Sequence, residues 1–109
     1  MCDFNNLSSN ENGFILRCRQ CGYYQLGFAG IMLSLNIEDY DKFCRLINYL
    51  SEKAVPEDKW SSRHIVIPTP YYGVNLLLCK NEIDDLQMLI STAESEQVAQ
   101  SMMALFANS

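Results

Sequence analysis

Basic side chains are scarce in this sequence. Eight lysines and arginines stand against thirteen acids, a net charge of −5, and no cluster interleaves the basic residues with aromatics. That balance works against non-specific binding to a phosphate backbone, so nucleic acid is disfavoured as a partner. Long apolar runs are missing too, and none approaches the roughly 18 residues that a membrane span requires. The stretch Met1 to Asn12 is polar and acidic, where a secretory signal is basic and then apolar. The expectation is a cytoplasmic protein with no membrane association. There is no glycine-rich phosphate loop, no His-Glu zincin pattern and no Gly-x-Ser-x-Gly elbow.

Apolar residues are plentiful. They make up 49% of 109 residues, enough for one continuous core, so 1–109 reads as a single domain. The five cysteines are an odd number with no export signal. They read as reduced thiols or metal ligands rather than a disulfide framework.

An eighteen-residue stretch occurs twice without a gap, at Gly30 to Ile47 and at Gly73 to Ile90. Gly30/Gly73, Leu33/Leu76, Leu35/Leu78, Asp41/Asp84, Leu46/Leu89 and Ile47/Ile90 are identical. Each copy runs from a glycine turn through an apolar strand into a helix, and an aromatic precedes each, Phe28 and Tyr71. A self-similar segment of this length points to a duplicated unit, here strand–strand–helix, the alternative being chance convergence on a common strand-to-helix pattern.

In chain order, Met1 to Asn12 reads as a polar arm ending in the turn-former Asn12-Gly13. Phe14 to Arg17 is a short strand, Cys18 to Gly22 a tight reversal, and Tyr23 to Phe28 the returning strand. Ile31 to Leu35 alternates as a third. Asn36 is suited to cap a helix that runs to about Lys53 with the stripe Tyr40, Phe43, Cys44, Ile47 and Leu50. Ala54 to Ser62 is a loop holding Pro56 and Trp60.

Arg63 to Ile67 and Val74 to Leu78 repeat the strand pair around Ile67-Pro68-Thr69-Pro70. Asn81 with Asp84 gives a capping pattern for a last helix that either continues to about Ala107 or breaks near Ser95. The fold predicted is α+β: two layers, a mostly antiparallel sheet of about five strands, and two helices on one face, from two strand–strand–helix units plus a leading strand. It is assembled from a first unit (12–53, with its leading hairpin) and a second (63–107). The sheet's other face carries Met32, Val66 and Leu77 beside Ser34, Asn75 and His64. That face and the long last helix are both candidate contacts for a homodimer.

The chemistry concentrates at Cys18-Arg19-Gln20-Cys21-Gly22. Two thiolates two residues apart on a tight turn reach one tetrahedral ion, and the following glycine lets the backbone pass under the sulfurs. Locally, Ile15 to Tyr24 resembles half of a zinc ribbon. A ribbon needs a second knuckle, and here the only further cysteine in the arm is Cys2. Cys2, Cys18 and Cys21 make three zinc ligands, with His64, Cys79 or Asp3 as candidates for the fourth, His64 foremost. The alternative is that Cys18 and Cys21 are ordinary thiols flanking a turn. Thioredoxin-like activation is absent, since a strand rather than a helix follows the pair.

Cys44 falls on the helix stripe as a small core residue, and Cys79 sits at the strand–helix junction. A Cys79–His64 nucleophile pair lacks an orienting third group. The doublets Tyr23-Tyr24 and Tyr71-Tyr72 fit either an aromatic binding patch or strands alternating in and out of a core.

Taken whole, the layout resembles a family of short bacterial proteins built on a domain of unknown function. The carrying residues are Cys2, Asn10 to Gly13, Cys18/Cys21, Phe28 to Gly30, and Ile67 to Pro70. The resemblance implies no activity. The residues themselves favour a non-catalytic interaction or regulatory module, zinc-stapled and homodimeric or bound to an unidentified protein partner. The competing reading is a small metal-dependent or thiol enzyme using Cys18 and Cys21.

Overall fold

A computed structural model describes residues 3–53, 63 and 65–107. Cys2, His64 and the loop Ala54 to Ser62 lie outside the described residues. The order of elements is β1 (Phe4–Ser9), β2 (Gly13–Cys18), β3 (Tyr24–Phe28), β4 (Ile31–Leu35), α1 (Ile37–Lys53), β5 (Ile65–Pro68), β6 (Asn75–Leu78) and α2 (Lys80–Ala107). The class is α+β as predicted. The first four strands form an antiparallel meander and the last two a separate antiparallel ribbon. Between the two sheets runs the hydroxyl of Tyr71, which donates to the Ser34 carbonyl on β4.

The strand count rises because the supposed polar arm is β1. Its sequence, Phe-Asn-Asn-Leu-Ser-Ser, does not alternate in the period of two that marks a half-buried strand. The reason is a bulge: Asn6 faces Leu16 and Ser8 faces Ile15, so Leu7 is the extra residue. Leu7 and Ser8 both become buried, and the one apolar side chain at the centre of the segment reaches the core.

The β3–β4 hairpin closes on Ala29 and Gly30, both at positive φ (54° and 83°). That is the pattern of a two-residue turn whose twist matches that of its strands. Gly73, at the equivalent place in the second copy, has φ 77°. On the preceding strand Gly27 is glycine for a different reason. It stands opposite Phe14 on β2, and a Cβ there would lie 2.4 Å from the Phe14 ring. The ring covers the backbone that the missing side chain leaves bare.

One core joins both halves. Ile15, Leu26 and Leu33 form a row across β2, β3 and β4. Tyr40, Phe43 and Ile47 of α1 and Ile67, Leu76 and Leu78 of the ribbon belong to the same cluster. From α2 it takes Ile83, Leu86, Leu89, Ile90 and Ala93. α1 packs on β4 and on α2, and α2 lies over β1 and β2.

Both helix starts are capped, by different atoms. Asn36 Oδ1 accepts from the Asp39 N–H at 2.7 Å, as expected. α2 starts one residue before the predicted cap, Asn81. Cys79 is its N-cap residue, with Glu82 reaching back to accept from the Cys79 N–H at 3.0 Å. That is the glutamate half of a capping box. Asp84 is instead held by Lys80 at 2.6 Å and Ser51 at 2.8 Å, pinning α2 to the end of α1.

α2 is continuous through Ser95. Its 28 residues span about 42 Å. The radius of gyration, 15.0 Å, exceeds the ~13 Å expected of a compact chain of this length. From Ser101 onward every described residue is exposed.

Gly27→Ala is expected to destabilise the fold by about 1–3 kcal/mol, because the new methyl meets the Phe14 ring. Urea titration should show that Phe14→Ala on the Gly27→Ala background costs much less than Phe14→Ala alone. Additive losses in the double variant are the outcome that contradicts this packing.

Candidate metal centre

The turn after β2 is built by hydrogen bonds that aim backbone at sulfur. Cys18 N–H donates to the Tyr23 carbonyl at 2.8 Å, and Gly22 N–H to the Cys18 carbonyl at 3.0 Å. Gly22 takes φ +80°, a left-handed conformation that a glycine reaches without a Cβ penalty. As a result the Cys21 N–H points at Cys18 Sγ, 3.3 Å away. A thiolate accepts such a bond far better than a thiol does, so this is a geometry suited to a metal-bound sulfur.

Cys18 is buried and Cys21 exposed. β1 runs alongside: Phe4 pairs with Cys18, and the Arg19 N–H donates to the Asp3 carbonyl at 2.9 Å. Asp3 also pairs with the Arg19 guanidinium at 3.1 Å. Cys2 precedes Asp3 in the sequence and lies outside the described residues.

The turn faces α2 across an open cavity of about 540 Å³ lined by Arg17, Arg19 and Cys21 on one side and Gln97, Gln100 and Ala104 on the other. Two side-chain contacts hold the helix there. Asn5 Nδ2 donates to Gln100 Oε1 at 2.6 Å, and Gln97 Nε2 donates to the Tyr24 hydroxyl at 2.9 Å. Tyr24 is itself stacked on Tyr40, centroids 3.7 Å apart and planes within 1°. Arg17 lies over its ring at 5.2 Å, close enough for a cation–π attraction.

Of the candidates for the fourth ligand, Cys79 lies away from the knuckle and His64 is outside the described residues. Cys79 is buried at the start of α2, while the knuckle faces Gln97 to Ala104. That is at least eighteen residues, or about 27 Å, further along the chain. Arg63 and Ile65, on either side of His64 in sequence, also lie at that first turn. Arg63 makes a bidentate contact with Glu82 at 2.7–3.1 Å, and Ile65 pairs with Leu78. Asp3 is at the knuckle but its carboxylate is on Arg19. Among the described residues, no group of three His, Cys, Asp or Glu side chains is placed to hold a metal ion.

Cys44 lies on a second cavity, between Tyr40 and Glu94. Burial pushes its thiol up to about 11, against a hydrogen bond with Tyr40 that works the other way. Burial also raises the Tyr40 hydroxyl well above the usual phenol range. The stacked tyrosines and the Arg63–Glu82 pair were not legible in the sequence. Each partner is ordinary alone, and only the tertiary fold brings it to the other.

The fold and the turn define a small α+β protein with a cysteine knuckle at one end of its larger sheet. The chain belongs to DUF6686, a family of unknown function, whose model matches residues 1–106. No curated protein and no solved structure matches it.

Two consequences follow for titration. At pH 8 Cys44 should resist iodoacetamide, its labelling rate rising only as the pH approaches about 11. Rapid labelling of Cys44 at pH 8, read by peptide mass, contradicts its raised pKa. The Arg63 guanidinium beside Glu82 holds that carboxyl below its ordinary value. A carboxyl whose pKa is depressed on folding stabilises the protein above the unfolded value and loses that contribution as the pH falls through the folded one. Glu82→Gln should therefore flatten the acid limb of the stability profile below about pH 4.5 and leave its neutral-to-alkaline shape unchanged.

Proposed function

We propose that this protein is a non-catalytic interaction module, organised as a homodimer and stapled at the knuckle by zinc. The observation that carries the interaction reading is apolar surface left facing solvent. Val98, Met102, Met103 and Leu105 on α2 are more than half exposed, as are Met32, Val66 and Leu77 on the sheets. Apolar surface gathered into contiguous patches marks contact sites rather than ordinary monomer surface.

The zinc reading rests on the N–H aimed at Cys18 Sγ, the left-handed Gly22, and a first strand whose pairing with the knuckle extends to Asp3, one residue from Cys2. Cys2, Cys18 and Cys21 supply three thiolates in this proposal. His64, the foremost candidate for the fourth ligand, lies outside the described residues. The fourth position is held in this proposal by His64, by water or by another group.

The two strand–strand–helix units descend, in the same proposal, from one duplicated unit. Supporting this are equivalent environments at equivalent positions. Gly30 and Gly73 share a positive φ, and Leu33/Leu76, Leu35/Leu78, Phe43/Leu86 and Ile47/Ile90 are all buried. A cytoplasmic location accords with reduced thiols and zinc.

Elemental analysis of protein purified without chelator should find close to one zinc per chain. Cys21→Ser should lose most of it and Cys44→Ser none. Zinc below about a tenth of an equivalent removes the staple. Sedimentation equilibrium should return the dimer mass at tens of micromolar, and the monomer mass there removes the homodimer.

A further inference from the structure

α2 has two apolar faces, and only one of them meets the rest of the protein. The buried stripe Ile83, Leu86, Leu89, Ile90 and Ala93 turns towards the sheet and α1. Continued along the helix, that side becomes polar: Gln97 and Gln100 contact Tyr24 and Asn5. On a helix advancing 100° per residue, a second stripe lies about 140° round from the first. It consists of Met88, Ser91, Ser95, Val98, Met102 and Leu105, and all six are exposed. Met88, Val98, Met102 and Leu105 are exposed by 65%, 54%, 53% and 73%.

The spacing of that second stripe is 3, 4, 3, 4, 3, the a/d repeat of a helix that packs along another helix by knobs into holes. It continues for about 26 Å. We infer that this seam is the homodimer interface, pairing α2 antiparallel with α2 of a second copy about a two-fold axis between Ser95 and Val98. The inference rests on the homodimer proposed above and assigns its surface and orientation.

Three observations select a second copy. First, the seam is self-complementary in size when reversed. Met88 falls opposite the partner's Leu105, Ser91 opposite the partner's Met102, and Ser95 opposite the partner's Val98, so small residues face large ones throughout its central part. Second, the seam carries no charge, whereas the chain as a whole carries −5. Two like-charged molecules associate most readily through an uncharged strip, with their acids kept outside it. Third, α2 has no lysine or arginine after Lys80, which deprives the apolar face of the basic flanks an interfacial membrane helix uses. α1, β1 and the β1–β2 turn occupy the other sides of α2 through Asn48, Asn5 and Asn12, leaving this side open to a neighbouring helix.

The test is sedimentation equilibrium on the full chain and four variants, with helix content checked by circular dichroism. Ser91→Glu and Met102→Lys lie on exposed positions and should leave the monomer folded. Each should raise the dimer dissociation constant at least about tenfold. In the antiparallel arrangement the double variant S91E/M102K sets the introduced carboxylate at position 91 against the introduced ammonium at position 102 of the other copy, and the two-fold axis makes that pair twice. It should return to within about threefold of the native constant. Leu77→Glu, on the outer face of the β5–β6 ribbon, should have no effect.

A dimer disrupted by Leu77→Glu but not by the α2 substitutions overturns the seam and leaves the homodimer standing on the sheet face. Single variants that dissociate without rescue in the double variant overturn the antiparallel register. A native chain that returns the monomer mass at tens of micromolar overturns both the seam and the homodimer. In that case the seam is left to a foreign helix or a membrane surface.

Discussion

The structure depends on one stripe of α2. Ile83, Leu86, Leu89, Ile90 and Ala93 are buried against elements from both halves of the chain, and burial of each large aliphatic among them contributes about 1.5–3 kcal/mol. This stripe makes the meander, the two-stranded ribbon and α1 into one core. A four-stranded sheet with one apolar face and a lone ribbon each leave that face to water unless a helix covers it. The polar contacts that orient the knuckle, Gln97 to Tyr24 and Gln100 to Asn5, lie on the continuation of the same side of the helix. They are in position only because the apolar stripe before them is seated.

The same helix explains how a small core coexists with exposed apolar surface. Where the sheet and α1 lie beneath α2, the apolar stripe faces inward. Beyond Ala93 the inward side turns polar and the apolar residues move to the outer side. A helix with one amphipathic pattern along its whole length would have ended with the body of the protein or lain flat on it. This one changes pattern in mid-course, which gives α2 a structural half and a half available for association. The knuckle faces this second half, so metal binding there and association through α2 would share one end of the molecule.

Much of the fold was legible along the chain. The alternation of Ile31, Leu33 and Leu35 and the stripe Tyr40, Phe43 and Ile47 gave a strand and a helix that the structure contains. The glycines at 30 and 73 marked turns with positive φ. β1 was not legible, because its bulge breaks the period of two that identifies a strand. The division into two sheets was hidden for a different reason. Strand pairing between β4 and the ribbon is a tertiary choice, and in its place a tyrosine hydroxyl meets the Ser34 carbonyl.

The sequence by itself determined the local elements other than β1, the cysteine knuckle and the family, since each depends on side-chain period, turn chemistry or residue spacing within a short window. Only the tertiary structure decided what those elements face. It set Cys79 and the residues beside His64 at one end of α2 and Cys18 and Cys21 towards the other. It stacked Tyr24 on Tyr40, and it turned the stripe from Met88 to Leu105 outward. The physical reason is the same in each case: an amphipathic segment specifies that one side will be buried, but its partner is fixed only when the other segments compete for the same core.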